Sequence, residues 1–301
     1  MLFDTSAAVT ENLSIKAFPG KELQVSVLRL DKIHPVVSGN KLFKLHYFLL
    51  EAQQSQHKTI LTFGGAYSNH LAATAYACSR AGLTCIGMVR GEEPARFSHT
   101  LRQCRDEGMR LRFLSREEYD RKEEPVFLEA LRREYGDCTI VPEGGYHPLG
   151  AKGAAGIHQC IHDEYTHICT AMGTATTAAG LLLGASPLQK ILVVPVLKGM
   201  HDFNERIRYL TGNATPSAGL EWIDGYHFGG YAKKNDELLR FMNQAWKQYQ
   251  LPLDFVYSAK LFYAVTDLVQ QNYFPAGSRI LCVHTGGLQG NESLPPNTLT
   301  Y

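Results

Sequence analysis

The stretch SGNKLFKL, residues 38–45, decides how this chain is read. Three small or polar residues, Ser38, Gly39 and Asn40, precede Lys41, and Lys44 follows about one helical turn later. The apolar spacing of Leu42, Leu45, Phe48 and Leu49 predicts a helix from Lys41 to Gln53. Lys41 therefore stands at the mouth of that helix, where the macrodipole favours anions. A lysine so placed loses its proton at lower cost, and a neutral amine is what attacks an aldehyde. A solvated surface lysine opening a helix would look the same in this segment alone, so the flanking sequence has to decide.

Outward from this segment, apolar runs alternate with helical patterns. LQVSVLRL (23–30), TILTF (59–63), TCIGMV (84–89), LRFL (111–114), CTIVP (138–142), THICTAM (166–172), ILVVPV (191–196) and RILCVHT (279–285) read as strands. Helical patterns fall over 68–81, 97–107, 125–135, 150–163, 175–184, 201–211, 235–248 and 258–270. Continuously apolar strands alternating with helices predict an α/β protein whose parallel sheets are covered on both faces. No Pro- or Ser-rich linker separates two halves, so any domain boundary lies in a short crossing.

The chain has 301 residues, 45% hydrophobic and 20% charged, with a formal net charge of +1. That balance gives no reason to expect nucleic acid or an anionic membrane as partner. No apolar run approaches the ~20 residues of a membrane span, and MLFDTSAAVTENL lacks the basic and apolar regions of a secretory signal. The seven cysteines are widely spaced without a CxxC pair, which favours a reducing, cytoplasmic setting over a disulfide framework.

Ligands of open α/β sheets bind beyond the carboxyl ends of the strands, and five strand-to-helix turns are rich there. GGAYSNH (64–70) offers two glycines for close backbone approach and then Ser68, Asn69 and His70 at a helix start. A tight turn with Ser68 as N-cap is the structural alternative. TAMGTATTAAG (170–180) sets Thr174, Ala175, Thr176 and Thr177 at another helix start, where free N–H groups, the dipole and hydroxyls suit a phosphate. It is neither a Walker loop nor GxGxxG, so no nucleotide is indicated. PEGGYHPLGAKG (142–153) crosses between the halves, DFVYSAK (254–260) puts Tyr257 and Ser258 at a helix start, and HTGG (284–287) ends the last strand. His158 and His162 have the i, i+4 spacing of a helical zinc pair, but the base expected of such a motif is replaced by Gln159, so no metal is expected. No G-x-S-x-G elbow occurs.

In this order the pieces resemble the pyridoxal-phosphate enzymes of the tryptophan synthase β-like fold type II, and within them the 1-aminocyclopropane-1-carboxylate deaminase/D-cysteine desulfhydrase family. The likeness runs from about Leu23 to Gly290 and is most specific in LRLDKIHPVVSGNKLFKL and FGGAYSNH. It implies two open, twisted, mostly parallel sheets with helices on both faces. It implies pyridoxal 5'-phosphate as cofactor, with Lys41 as its Schiff-base lysine. Lys44, Thr174, Ala175, Thr176 and Thr177 would hold its phosphate, and Asn69 its phenolic oxygen. Ser68 would stand beside the substrate, Tyr257 at the ring and reactive carbon, and Tyr231 of GYHFGGY would supply a second hydroxyl. Residues 1–45 with 151–301 would form a large cofactor-binding domain, and 46–150 a smaller inserted mobile one.

The deaminase branch carries a glutamate and a leucine where this chain has Ser258 and Thr285. A hydroxyl facing the pyridine nitrogen makes a weaker electron sink than a carboxylate, which suits elimination of a good leaving group. The resemblance therefore implies a lyase of amino-acid metabolism converting D-cysteine to pyruvate, hydrogen sulfide and ammonia, as a homodimer. Deamination of 1-aminocyclopropane-1-carboxylate and elimination from another β-substituted amino acid remain alternatives. So does a non-catalytic phosphate- or amino-acid-binding protein. Phe43, where an arginine is common, and His70, where the deaminases carry glutamine, depart from the family pattern.

Overall fold

Continuous apolar runs become the central strands of two sheets in the computed structural model, which describes residues 4–16, 20–34, 37, 39–214 and 218–301. Ser38 of the opening segment lies outside the described residues. The chain begins with β1 (Val9–Leu13), β2 (Gln24–Arg29) and α1 (Asn40–Gln54). It continues through β3 (Thr59–Gly64), α2 (Asn69–Ala81), β4 (Thr84–Arg90), α3 (His99–Asp106), β5 (Arg110–Leu114), α4 (Arg116–Asp120), α5 (Pro125–Tyr135) and β6 (Cys138–Val141). After α6 (Pro148–Ala155) come β7 (His167–Met172), α7 (Thr176–Gly184), β8 (Lys190–Pro195), α8 (Phe203–Leu210) and β9 (Gly219–Trp222). The last elements are α9 (Asp236–Tyr249), α10 (Ser258–Gln270) and β10 (Arg279–His284).

The larger sheet has the order β1-β2-β10-β7-β8-β9 and the smaller β5-β4-β3-β6. Every neighbouring pair is parallel except β1 with β2. Central strands are buried on both faces, which is why they read as unbroken apolar runs. In β10, Ile280 and Cys282 join the core shared with α9 and α10, whereas Leu281 and Val283 join the core under α6 and α7.

Helix α1 serves both sheets. Leu42, Leu45, Phe48 and Leu49 pack into the core of the smaller one, and Phe43, fully buried, points into the core of the larger. An arginine at 43 would be placed in an apolar core, so the departure there is a packing change. Glycines allow α6 to close on α1 and α7 on α6: a Cβ on Gly153 would fall 2.1 Å from the Phe43 carbonyl oxygen, and one on Gly180 2.5 Å from Ala154 Cβ.

Among the described residues, two strands and one α-helix have no counterpart in the sequence reading: the edge strands β1 and β9, and the short α4. The helix expected over 150–163 also divides, because α6 ends at Ala155 and a 3-10 turn, Gly156–Cys160, follows. His158 and His162 consequently share no α-helical face, and His158 Nε2 lies 2.8 Å from the Leu181 carbonyl oxygen.

Candidate active site

The carboxyl ends of β3, β7 and β10 bring the expected turns together around the start of α1. Gly39 precedes the helix at φ +88°, and a Cβ there would meet the Thr285 carbonyl oxygen at 1.8 Å. That oxygen accepts the Asn40 N–H at 3.1 Å, so the turn after β10 fixes where α1 begins. Asn40 then works in two directions: Oδ1 accepts from Lys41 Nζ at 2.6 Å, and Nδ2 donates to Thr177 Oγ1 at 2.7 Å. Lys41 Nζ stands 5.7 Å from the centre of the Tyr257 ring. Enclosure by protein brings the Lys41 pKa down to about 8, with the Asp254 carboxylate acting in the opposite direction.

Lys44 is buried, donates to the Gly144 carbonyl oxygen at 3.2 Å, and is pushed well below the ordinary lysine pKa by burial and by Lys41. Gly144 joins this amine to the turn before α7, since a Cβ on it would lie 3.0 Å from Thr174 Cγ2. At that turn Thr174 Oγ1 and Thr176 Oγ1 are 2.9 Å apart, and Ala175 caps α7 at φ +67°. A left-handed alanine costs about 1–2 kcal/mol. Here it opens α7 with its first N–H groups directed out of the helix end, the arrangement that receives anions.

Ser68 caps α2 by accepting the Leu71 N–H at 3.2 Å, so the capping alternative holds, and its hydroxyl proton is not consumed by that bond. Asn69 Nδ2 donates to the Gly287 carbonyl oxygen at 3.0 Å, while its buried Oδ1 has no hydrogen-bond partner. His70 is buried beneath. Thr62 gives its own proton to the Val141 carbonyl oxygen at 2.9 Å, so at 2.9 Å it accepts from His70 Nε2–H. Burial and the two lysines lower the His70 pKa to about 3, keeping the imidazole neutral.

Opposite these residues, Tyr257 precedes α10 with its ring 6.1 Å from that of Tyr231, the planes at 72°. Tyr231 is 53% exposed at the rim. Gly173 backs Tyr257, whose Cε1 would lie 3.1 Å from a Cβ at 173. Ser258 Oγ donates to Asp254 Oδ2 at 2.7 Å and accepts the Asp254 N–H at 2.7 Å. Its hydroxyl proton is thus engaged inside the turn. Thr285 lies buried at the end of β10.

Three contributors were missed from sequence. Asp254, buried, accepts from the N–H groups of Val256, Tyr257 and Ser258 at 2.7–2.9 Å and shapes the turn that presents Tyr257. The only sequence signal is an acidic residue four positions before a helix-opening serine. Lys260, fully buried, donates to the Gly230 carbonyl oxygen at 2.7 Å beside Tyr231. Asn40 reads as a small polar spacer in the sequence, yet it links Lys41 to Thr177.

A half-buried and a buried amine near a hydroxyl-rich helix N-terminus, with the Asn69 amide held at one side, form a site for a flat anionic aldehyde. The pyridoxal-phosphate dependent enzyme family matches residues 10–286, and this chain belongs to it. A Pyrococcus horikoshii protein provisionally named 1-aminocyclopropane-1-carboxylate deaminase is 30% identical over 274 residues, spanning 84% of this chain and 81% of that one. A D-cysteine desulfhydrase of Yersinia pestis is 25% identical over 308 residues, spanning 94% and 92%. A crystal structure of an ACC deaminase homologue superposes with a TM-score of 0.80 at 26% identity, covering 96% of this chain and 92% of that one. Pyridoxal 5'-phosphate is therefore the cofactor, and the residues fit it: the Lys44 amine, the Thr174 and Thr176 hydroxyls and the N-terminus of α7 offer donors to a phosphate, and Asn69 retains an amide hydrogen and an orphaned oxygen. Among the described residues no helix is long and apolar enough to cross a membrane.

Proposed function

We propose that the protein is a lyase that eliminates the β-substituent of a small amino acid, converting D-cysteine and water to pyruvate, hydrogen sulfide and ammonia. Pyridoxal phosphate, when bound, supplies the electron sink that makes the α-carbon of an amino acid acidic. The protein's own residues divide the remaining work. Lys41 is the covalent anchor and, with a pKa near 8, carries a neutral amine at Nζ often enough to take the α-proton. Lys44, Thr174, Thr176, Thr177 and the start of α7 hold the phosphate. Asn69 holds the phenolic oxygen. Ser68, whose proton remains available, meets the substrate carboxylate. Tyr257 keeps its phenolic proton, its pKa raised by burial and by Tyr231, and offers it to the departing sulfur.

The observation that carries the choice of leaving group is the pair Ser258 and Thr285, hydroxyls where the deaminase branch has glutamate and leucine. The Ser258 proton is already directed to Asp254, so it does not act as a carboxylate would at a ring nitrogen. A weaker sink suffices for expelling sulfide, whereas an unactivated cyclopropane needs more. The reading includes residues 46–150 as a mobile domain that closes on the substrate and excludes water. It also includes a homodimer in a reducing cytoplasm, with seven free, buried thiols in support of the compartment.

The test adds D-cysteine, L-cysteine and 1-aminocyclopropane-1-carboxylate to cofactor-loaded protein and assays sulfide, 2-oxoacid and ammonia. Sulfide and pyruvate from D-cysteine support the proposal. Ammonia and 2-oxobutanoate from the cyclopropane would replace it with the deaminase reading. No product from any of the three removes the substrate assignment and leaves the cofactor in place.

A further inference from the structure

His284 takes no part in the chemistry above, yet it is completely buried where three arms of the site meet. It is the last residue of β10, directly before Thr285, Gly286 and Gly287. Its Nε2 is 2.7 Å from the Pro252 carbonyl oxygen, which only accepts, so Nε2 carries the proton. Its Nδ1 accepts the Gly286 N–H at 3.2 Å and is therefore bare. One imidazole thus spans two segments: the turn after β10, and the residues leading into Asp254, Tyr257 and Ser258.

The turn held by Nδ1 is bonded to two arms of the site. Gly286 and Gly287 both adopt positive φ, +67° and +76°. The carbonyl oxygen before them, on Thr285, accepts Asn40 N–H and sets the start of the Lys41 helix. The carbonyl oxygen after them, on Gly287, accepts Asn69 Nδ2. Behind the ring, Asp31 Oδ1 is 3.5 Å from Nδ1, but its carboxylate is already gripped by the Arg29 guanidinium at 2.7–3.1 Å, and Arg29 is tied in turn to Glu11 at 2.8 Å. A neutral ring accepting from Gly286 and a charged ring donating to Asp31 are exclusive arrangements, because Nδ1 has one lone pair or one proton. Hydrogen bonding in this structure selects the first.

We propose that His284 is a positioning residue for the cofactor site. Its bare Nδ1 holds Gly286 and thereby sets the Lys41 and Asn69 arms at a fixed separation. The proposal rests on the cofactor and is independent of which amino acid is the substrate.

Three variants separate the two bonds of the ring. His284→Asn puts an amide oxygen near the place of Nδ1, keeping an acceptor for Gly286 and giving up Pro252. His284→Gln reaches towards Pro252 and gives up Gly286. His284→Leu gives up both. The dissociation constant of pyridoxal phosphate is measured by fluorescence titration of each apoprotein, alongside its urea unfolding midpoint. The Asn variant is expected to bind within about threefold of the unmodified protein and the Gln and Leu variants about tenfold or more weakly, with similar unfolding midpoints for Asn and Gln. A purely structural histidine would shift the midpoints without separating the affinities. Equal affinities for Asn and Gln, whether both retained or both lost, or tighter binding by Gln, overturn the proposal. Should the Leu variant fail to fold, the comparison of Asn with Gln decides alone.

Discussion

Asn69 Nδ2 donates to the Gly287 carbonyl oxygen at 3.0 Å across 218 positions of sequence, joining the first turn of α2 on the smaller sheet to the turn after β10 on the larger. The bond orients the amide that the family likeness assigns to the phenolic oxygen of the cofactor, and it does so from the turn after β10.

Gly287→Ala is the sharpest test of that relationship. A Cβ at 287 would lie 2.4 Å from Asn69 Nδ2, on backbone at φ +76° that an alanine adopts only under strain. The variant is expected to bind pyridoxal phosphate on the order of tenfold more weakly and to lose about 1–2 kcal/mol of stability. Fluorescence titration and urea unfolding measure the two effects. Unchanged affinity would show that Asn69 does not need this anchor.

A second prediction concerns pH. Burial lowers the Lys41 pKa to about 8, so below that value the amine is mostly protonated and cannot attack an aldehyde. Each unit below the pKa cuts the neutral fraction about tenfold. Covalent uptake of pyridoxal phosphate by apoprotein is therefore expected to accelerate from pH 6 to 8 and to level off above about 8, followed as growth of the imine absorbance. Lys41→Ala should show no such band at any pH. A rise continuing unchanged towards pH 10 would mean that the amine is not enclosed.

The sequence carried much of this because central strands of a parallel sheet are apolar along their whole length. TILTF, ILVVPV and RILCVHT could hardly be anything else. The edge strands VTENL and GLEW lack that signature, since an edge is only partly covered, and both escaped notice. Helix α4 is five residues long, and its capping box, Ser115 with Glu118, was the available clue. The same division applies to the site. Asn69 and the threonine turn follow the ends of β3 and β7, and Lys41 opens α1, so position in sequence gives position in the fold. Lys260 looks like any lysine in helix SAKLFYAV, and only the packing of GYHFGGY against it shows it to be buried. Asp254 gathers donors from Val256, Tyr257 and Ser258, which depends on a turn that no periodicity encodes.

That turn supports a third prediction. Ser258→Ala removes one of the donors to Asp254 and leaves three backbone N–H groups, so it is expected to cost about 1–3 kcal/mol. Asp254→Asn places an NH₂ group among donors and removes a buried carboxylate between Lys41 and Lys260, for about 3–5 kcal/mol. Urea unfolding of the apoproteins gives both figures. A smaller loss for Asn than for Ala would mean that Asp254 is not the centre of the turn.

Lys260 offers a last test in which stability and pH are read together. Its ammonium has no exposure, donates to the Gly230 carbonyl oxygen, and has its pKa brought down to about 8 by burial, against the pull of Asp254. A lysine whose folded pKa lies below its unfolded value of 10.5 binds fewer protons when folded than when unfolded, at any pH between those two values. Its contribution to stability therefore rises with pH across that window and is least favourable below about 8. In Lys260→Met this rise disappears, so the stability difference between the original protein and the variant should move in favour of the original as pH increases from 8 to 10. At pH 7 the variant also loses the bond to Gly230, which stands at φ +118° directly before Tyr231. With the loop less constrained, KM is expected to rise several-fold more than kcat falls. Unfolding curves at pH 7, 8, 9 and 10 with steady-state kinetics at pH 7 provide the check. A stability difference independent of pH would show that Lys260 keeps an ordinary lysine pKa in the fold.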